Sequence, residues 1–253
     1  MSSTAALKVG VIGARGRMGA EVCRALTAVD GYELVAQVDV GDSLDALVEA
    51  GAEVVVEFTT PASVLDNIRF CIEHGLHVVV GTTGVDDAAL AEISGLLAEH
   101  PDVSVLVVPN FGIGAVLMMR FAAIAAPYFE SVEIVELHHP DKVDAPSGTA
   151  LRTASLIAAA RKEAGTAKSP DATNTGVDGA RGAEVEDVAV HSIRLRGLVA
   201  HQEVLLGGPG ETLTIRHDSL DRSSFMPGVL LAVQRVQENK GLTVGLDKLL
   251  GLA

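Results

Sequence analysis

VGVIGARGRMGAEV, residues 9–22, joins an apolar strand-like run to three glycines and then to the first turn of a helical pattern. Gly13, Gly16 and Gly19 lie between the run and the helix. Glycines at such a turn let the backbone approach a pyrophosphate, whose charge is met by free N–H groups and the positive helix terminus. The spacing is one residue wider than the common G-x-G-x-x-G motif. Taken alone, the stretch therefore fits a dinucleotide site or a tight turn with a structural role.

Short β-branched runs alternate with helical patterns through the first 108 residues. The runs are almost entirely apolar and occupy 7–12, 32–38, 53–58, 76–81 and 103–108. Strands of this kind are buried on both faces, and their alternation with helices indicates parallel pairing. The sequence predicts an α/β protein whose first part is a Rossmann-like, doubly wound parallel sheet of about five strands.

The pattern changes after Asn110. An apolar helix over about 113–127, a strand over 132–138 and a helix over about 149–164 precede a polar, glycine-rich segment, 165–187, which predicts a long loop. Three strand-like runs with short glycine-containing turns follow, which predicts an antiparallel or mixed sheet, and helical periodicity returns over 222–238. We therefore expect a dinucleotide-binding domain from 1–112 and 221–253, with an inserted α+β substrate domain from 113–220.

The composition limits the classes of function. An excess of 33 acidic over 19 basic residues disfavours nucleic-acid binding, which needs a basic face. Cys23 and Cys71 form no CxxC pattern, so neither a disulfide framework nor a structural zinc site is indicated. The chain shows no targeting pattern at its N-terminus and no apolar run long enough for a membrane span. We expect a cytoplasmic protein with a small-molecule partner.

An acidic residue and two arginines bear on the choice of nucleotide. Asp39 follows the second strand, where a carboxylate accepts hydrogen bonds from the adenosine ribose of NADH. Arg15 and Arg17 lie inside the glycine turn, where a guanidinium suits the 2′-phosphate of NADPH, although each also fits an ordinary surface position. Together they predict a site that accepts either NADH or NADPH.

Three further loops, 57–61, 81–84 and 109–114, each follow a predicted parallel strand. The carboxyl ends of such strands share one edge, where ligands bind. Threonine hydroxyls and accessible glycine amides suit a nicotinamide carboxamide and its ribose. Each loop alone is unremarkable, but together we expect them to line the cofactor edge.

The stretch ELHHPDKVDAPSGTA, residues 136–150, gathers most of the polar chemistry of the second half. If the strand continues through it, His138 and His139 point to opposite faces and can take separate roles. Lys142 supplies a positive charge or a proton. The stretch thus predicts a proton donor, with a polar loop of purely structural role as the alternative.

The end of this stretch has the pattern of a helix start. Ser147 is suited to cap the helix, and the N–H groups of Gly148 and Thr149 are suited to bind a carboxylate. The histidine pair lacks the helical i, i+4 spacing of a zinc site, so we expect no metal. Arg194 and Arg196 alternate with apolar neighbours on a later strand, which predicts a shared face that adds positive potential to the site.

These motifs carry a resemblance that spans nearly the whole chain. The chain resembles the 4-hydroxy-tetrahydrodipicolinate reductases, also called dihydrodipicolinate reductases, in VGVIGARGRMG, EFTTP, GTTG, PNFGIG, ELHHPDKVDAPSGTA and HDSLDRSSFMPG. The fifth of these motifs is highly specific to the family, and AHQEV at 200–204 resembles its actinobacterial branch. The resemblance implies NAD(P)H-dependent reduction of 4-hydroxy-2,3,4,5-tetrahydrodipicolinate, with loss of water, in lysine and diaminopimelate biosynthesis.

The resemblance also implies roles for individual residues. His138 matches the family's general acid and Lys142 its second proton donor, while His139, Gly148 and Thr149 match residues that hold the substrate carboxylates. The positions that match the cofactor site are Gly13, Ala14, Arg15, Gly16, Arg17, Met18, Asp39, Gly81, Thr82, Thr83, Val108, Pro109, Asn110 and Phe111. The family further implies a homotetramer that associates through the sheets of the substrate domains.

Two departures from the family pattern stand out. Glu57 replaces the usual Asp before Phe-Thr, which leaves its hydrogen bonds open, and GLVAHQEV at 197–204 departs from the common Gly-Glu-His order, so His201 receives no role.

Two other functions are compatible with the glycine turn. One is another two-domain NAD(P)-dependent dehydrogenase of aspartate-derived metabolites, and the other is a regulator that binds NAD(P)H without turnover.

Overall fold

The structure, a computed structural model, describes residues 5–252. Within them the chain divides into two compact units: unit 1 runs to Ile113 and resumes at Phe225, and unit 2 comprises Gly114–Ser224. Among the described helices, none is long and apolar enough to cross a membrane.

Eleven strands are described. They are β1 (Leu7–Ile12), β2 (Tyr32–Val38), β3 (Val54–Glu57), β4 (His77–Val80), β5 (Ser104–Val107), β6 (Ser131–His138), β7 (Ala183–Val185), β8 (Val188–Arg194), β9 (Ala200–Gly208), β10 (Glu211–Ser219) and β11 (Gly241–Val244).

Seven α-helices are described. They are α1 (Arg17–Ala28), α2 (Asp45–Glu49), α3 (Val64–Glu73), α4 (Asp87–Glu99), α5 (Ile113–Ala125), α6 (Gly148–Glu163) and α7 (Met226–Arg235). Short 3₁₀ turns follow α5 at Ala126–Tyr128 and flank α7 at Arg222–Phe225 and Val236–Glu238.

Unit 1 is built on a parallel six-stranded sheet in the order β11-β5-β4-β3-β1-β2. The prediction of a doubly wound parallel sheet is confirmed. All four residues of β3 are buried because a central strand of such a sheet is covered on both faces. The direction of winding reverses between β1 and β3, and the carboxyl ends of the strands at such a switch point form a crevice for ligands.

The predicted strand count of about five was one short. β11 consists of only four residues after α7 and pairs in parallel with β5. Its sequence, GLTV, includes a glycine and a threonine, so it lacks the continuous apolar run by which the central strands are recognised. The C-terminal segment 222–238 is also not one helix, since α7 lies between two 3₁₀ turns, but Pro227 does fall in the first turn of α7, where it is tolerated.

Unit 2 is built on a mixed five-stranded sheet in the order β10-β9-β6-β8-β7. β6 pairs in parallel with β8 and antiparallel with β9, as the prediction of a mixed sheet allowed. One face of this sheet packs on α6 around Ile134, Val190, Val204 and Ile157, and we call it the helix face. The opposite face is called the open face.

Two local predictions for unit 2 were wrong. The segment 165–187 is not all loop, because it contains β7, which pairs antiparallel with β8. β8 ends at Arg194, so Arg196 lies in the following turn and does not share a strand face with Arg194.

Candidate functional site

The glycine turn of unit 1 has no room for side chains at two of its positions. A Cβ on Gly13, whose φ is +80°, would lie 2.1 Å from the carbonyl oxygen of Phe58, and a Cβ on Gly19 would lie 2.0 Å from the carbonyl oxygen of Gly13. Gly16 is the N-cap of α1 and has no side chain to cap it. The first N–H groups of α1 therefore begin at a turn pressed closely against β1 and β3, as a phosphate-binding turn requires.

Asp39 organises the loop beside this turn. Its carboxylate accepts the backbone N–H of Arg15 at 2.6 Å and that of Val40 at 2.8 Å, and these two bonds lower the pKa of Asp39 below its usual value. Asp42 was not predicted from the sequence. It accepts the backbone N–H of Asp39 and forms a 3.0 Å ion pair with the guanidinium of Arg15.

A cavity of about 370 Å³ opens between this turn and the start of α3. Its lining includes three of the predicted cofactor residues, Gly13, Gly16 and Asp39, but it also contains Ser63 and Asn67, which sequence reasoning missed. The sequence signal for the latter pair was weak, because each is an ordinary polar residue at the start of an amphipathic helix.

The 57–61 loop and the 81–84 loop are joined at the carboxyl edge of the sheet. The hydroxyl of Thr82 accepts the backbone N–H of Thr59 at 2.6 Å. Glu57 is fully buried and accepts hydrogen bonds from Thr59 and Asn67 through Oε1, whereas its Oε2 has no hydrogen-bond partner in the described structure. This is the position where the chain departs from the family pattern.

The third loop of this edge packs against the first two through aromatic rings. The rings of Phe58 and Phe111 lie 5.5 Å apart, and a Cβ on Gly81 would lie within 2.8 Å of both. The Asn110 side chain accepts the backbone N–H of Gly112 at 2.8 Å. The three loops predicted to line one edge therefore do meet there.

The remaining predicted cofactor residues divide by exposure. Ala14 and Val108 are buried in the core of unit 1. Arg15, Arg17, Thr83 and Pro109 are exposed, and Met18 is half-buried. The buried pair can contribute only backbone groups to a ligand.

In unit 2, β6 and the start of α6 bring the second group of polar residues together. His138 is the last residue of β6 and His139 follows the strand, exposed. The Lys142 ammonium pairs with the Asp144 carboxylate at 2.7 Å. Ser147 caps α6 by accepting the backbone N–H of Ala150 at 3.2 Å, which confirms the predicted helix start.

A buried glutamate that the sequence did not reveal links these segments. Glu136 is 0% exposed, and its carboxylate meets His138 Nδ1 at 2.5 Å and both terminal nitrogens of Arg194 at 2.8–2.9 Å. Ser147 donates its backbone N–H to the same carboxylate at 3.3 Å. Arg194 also donates to the backbone carbonyl of Asp144 at 2.7 Å, so one ion pair ties the strand end, the loop and the helix start together.

The charges in this cluster shift two pKa values. Burial raises the pKa of Glu136, but hydrogen bonds from Arg194, Ser192 and His138 outweigh burial and leave it below its ordinary value. Burial lowers the pKa of His138; Glu136 opposes that effect, while Lys142 and Arg194 add to it. His138 is therefore an acid that gives up its proton more readily than a free imidazolium.

Two other histidines of unit 2 have carboxylate partners away from this cluster. On the open face, His201 Nδ1 lies 2.6 Å from Asp218, and His191 Nε2 lies 2.7 Å from Glu133. His217 lies on the helix face near Gly114. Within residues 5–252 no group of three or more His, Cys, Asp or Glu side chains is arranged to hold a metal ion.

Comparisons with known proteins agree across both units. The model of the dihydrodipicolinate reductase N-terminus matches residues 7–111, and that of its C-terminus matches residues 114–250. A 4-hydroxy-tetrahydrodipicolinate reductase from Streptomyces griseus subsp. griseus is 64% identical over 97% of this chain and 98% of its own length. One from Nocardia farcinica is 63% identical over 97% and 99%. The structure of dipicolinate-bound dihydrodipicolinate reductase from Paenisporosarcina sp. TG-14 has a TM-score of 0.86 at 37% identity and covers 96% of this chain and 99% of that one.

Proposed function

Since the chain belongs to the dihydrodipicolinate reductase family, we infer that its two groups of polar residues serve one reaction. That reaction is the NAD(P)H-dependent reduction of 4-hydroxy-2,3,4,5-tetrahydrodipicolinate to 2,3,4,5-tetrahydrodipicolinate, with loss of water, in lysine and diaminopimelate biosynthesis. The observation that carries the assignment of the chemistry is the cluster in unit 2, where His138 and the N-cap of α6 meet the same buried carboxylate.

The residues of unit 1 fit a nicotinamide dinucleotide. The glycine turn closes so tightly that a Cβ at Gly13 or Gly19 would overlap backbone, and the free N–H groups of α1 begin there. Asp39 follows β2, and we propose that its carboxylate accepts hydrogen bonds from the adenosine ribose. When bound, the reduced cofactor supplies a hydride to the substrate ring.

We propose that the site accepts both NADH and NADPH. The Asp39 carboxylate suits the ribose hydroxyls of NADH, and the exposed guanidinium of Arg15 suits the 2′-phosphate of NADPH. Arg15 is held beside this position by Asp42 and by the Val40 carbonyl oxygen, to which it donates at 3.2 Å. Arg15 lies in the turn before α1 and Asp39 in the loop after β2, and the Arg15 N–H···Asp39 hydrogen bond brings the two loops together, so we expect neither cofactor to be strongly rejected.

Unit 2 is proposed to bind the substrate and protonate it. Addition of a hydride to a conjugated ring requires a proton, and His138 supplies it as general acid. Lys142 is the second proton donor and a cation for the anionic substrate. Its pairing with Asp144 holds the ammonium in the loop next to His138.

The two substrate carboxylates are proposed to bind at the start of α6 and at His139. The backbone N–H groups of Gly148 and Thr149 belong to the first turn of α6, where the helix dipole favours an anion. The Ser147 cap fixes the direction of that turn. His139 is exposed after the end of β6, and we propose that it adds a donor.

Assembly and location are also proposals. The open face of the unit 2 sheet carries Ile193 and Leu205, whose relative exposures are 41% and 38%. Apolar side chains exposed on a sheet face favour association between copies of the chain, and we propose a homotetramer formed through these sheets. We also propose a cytoplasmic location, because the reaction draws on the cytoplasmic pool of reduced nicotinamide cofactor.

Turnover is tested by mixing the purified protein with reduced cofactor and freshly generated dihydrodipicolinate synthase product, and by following the loss of the cofactor's absorbance. His138→Gln and Lys142→Ala are each expected to lower kcat by roughly 10²-fold to 10⁴-fold, because a positioned proton donor contributes on that order. Cofactor affinity, measured by fluorescence, should stay unchanged. His100→Gln and Lys162→Ala are the matched controls outside both sites.

Near-normal turnover in either variant would remove that residue from the mechanism. No cofactor oxidation by the wild type, with tight cofactor binding, would favour a regulator that binds without turnover. If the reduced cofactor is oxidised when an aspartate-derived semialdehyde replaces the cyclic substrate, the other class of dehydrogenase would be favoured.

A further inference from the structure

The carboxylate of Glu136 is saturated with hydrogen bonds although it is fully buried. Oε2 meets His138 Nδ1 at 2.5 Å and Arg194 at 2.9 Å. Oε1 accepts from Arg194 at 2.8 Å and from the Ser147 backbone at 3.3 Å. Together with the hydrogen bond from Ser192, these donors hold the carboxylate in one orientation, because its lone-pair directions are taken.

Stability alone does not account for this arrangement. Replacing a buried ion pair by apolar side chains of similar volume is often neutral or stabilising, since burial removes both charges from water. Glu136 also lies on the helix face of β6, where its neighbours along the strand, Val132 and Ile134, are core residues. The structure places a charge where an apolar residue would serve the fold, and that charge contacts the proposed proton donor.

We infer that Glu136, held in place by Arg194, is the positioning residue of His138. Glu136 accepts a hydrogen bond from Nδ1–H and so fixes the orientation of the ring. Nε2–H is then the group that donates its proton to the substrate. When Nε2 gives up its proton, the ring becomes neutral and keeps the proton on Nδ1. The inference rests on the proposed role of His138 as general acid.

The charged groups that face His138 come from three places. Glu136 lies on the same strand, Arg194 lies opposite on β8, and Lys142 lies in the loop that follows, paired with Asp144. Burial and the two cations lower the pKa of His138, and only Glu136 raises it. Removal of the Glu136 charge should therefore lower that pKa further.

The sign of the effect on activity follows from the acid role. Turnover requires protonated His138, so kcat falls as the pH rises through its pKa. In Glu136→Gln this alkaline loss of kcat should begin about one pH unit lower than in the wild type. The amide also presents an N–H to Arg194, which disturbs the ring's anchor, so kcat should fall by roughly 10²-fold or more, as when an orienting carboxylate is lost.

Two variants separate positioning from a merely structural role. Glu136→Asp keeps the charge but shortens the side chain. The value of kcat should therefore fall, while the pH at which kcat declines stays near its wild-type value. Glu133→Gln is the matched control: Glu133 lies on the same strand and also contacts a histidine and an arginine, but on the open face. In Glu133→Gln, the pH at which kcat falls should be the same as in the wild type.

The tautomer of His138 gives a test that needs no altered Glu136. In protein labelled with ¹⁵N-histidine, the His138 signals are assigned by their loss in His138→Gln. Neutral His138 should carry its proton on Nδ1, which is the less common form of a free imidazole. A proton on Nε2 in the neutral wild-type ring would overturn the inference, as would an unshifted alkaline limb in folded Glu136→Gln.

These outcomes are distinct from failure of the proposed function. If His138→Gln retains turnover, the acid role itself fails. If His138→Gln is inactive but Glu136→Gln behaves like Glu133→Gln, only the positioning role fails. Thermal unfolding reports in each case whether the variant is folded, because cofactor affinity is a property of unit 1 and the substitutions lie in unit 2.

Discussion

Asp42 is predicted to set the balance between NADH and NADPH. Its carboxylate lies 3.0 Å from the Arg15 guanidinium and accepts the Asp39 backbone N–H at 3.0 Å. Asp42→Asn keeps the side-chain oxygen that Asp39 needs but removes the negative charge that neutralises Arg15. The freed cation should then interact more strongly with the 2′-phosphate that only NADPH carries.

The expected magnitude is small because the pair is partly exposed. The Arg15 and Asp42 side chains are 62% and 41% exposed, and such pairs contribute about 0.2–1 kcal/mol. Since 1.4 kcal/mol corresponds to a tenfold change in affinity, the Kd for NADPH should fall by up to about fivefold. The Kd for NADH should change by less than about twofold, because NADH lacks that phosphate.

The assay is a fluorescence titration of each reduced cofactor without substrate, so the result does not depend on turnover. Asp45→Asn is the control, because it removes the same charge from the same segment, where the Asp45 carboxylate accepts a hydrogen bond from Ser43. The double variant Arg15→Gln/Asp42→Asn should abolish the gain for NADPH. A gain that persists without Arg15, or that Asp45→Asn reproduces, would refute the reasoning.

Three further changes test the two units. Asp39→Ala should weaken NADH more than NADPH in the same titration, and equal weakening of both would remove its ribose role. Gly19→Ala should lower the affinity for both cofactors at least about tenfold and destabilise unit 1 by about 1–3 kcal/mol, because the new Cβ overlaps the Gly13 carbonyl oxygen. Unchanged cofactor affinity and an unchanged thermal unfolding temperature would contradict this. Arg161→Met should lower the free energy of unfolding by about 1–3 kcal/mol in urea, because its guanidinium satisfies four backbone carbonyl groups, while the Kd for cofactor should not change.

The architecture of unit 1 could be predicted because its strands need no partner information to be recognised. The run VVVE in β3 begins with three valines that fall on both faces of the strand, which is typical of a strand in a covered parallel sheet. The same reasoning fails for β7 (AEV) and β11 (GLTV), because neither is a continuous apolar run. Those strands exist because a neighbouring strand offers hydrogen bonds, and their own residues carry no periodicity.

The site was predictable only where its residues lie close together in the sequence. His138, Lys142 and the Ser147 cap belong to one stretch of fifteen residues, 136–150, and their chemistry is visible there. The position of Glu136 does carry a sequence signal, because on a strand it shares the face of Ile134. An acidic residue on an apolar face indicates that the residue has a buried partner. The partner, Arg194, lies 58 positions away, and only the pairing of β6 with β8 brings it there.

The two carboxylates at the centre of these proposals, Asp39 and Glu136, lie in different surroundings that suit different roles. Asp39 is partly exposed, and backbone N–H groups hold it, so it is rigid yet remains open to ligand hydroxyls. Glu136 is buried and saturated, so it has no capacity left for a ligand and can act only through His138. A partly exposed carboxylate of this kind should affect affinity and selectivity, whereas a buried one should affect rate and pH dependence. Substitutions at the two positions should therefore change different measured quantities, and a change at Glu136 that altered only KM would be inconsistent with its geometry.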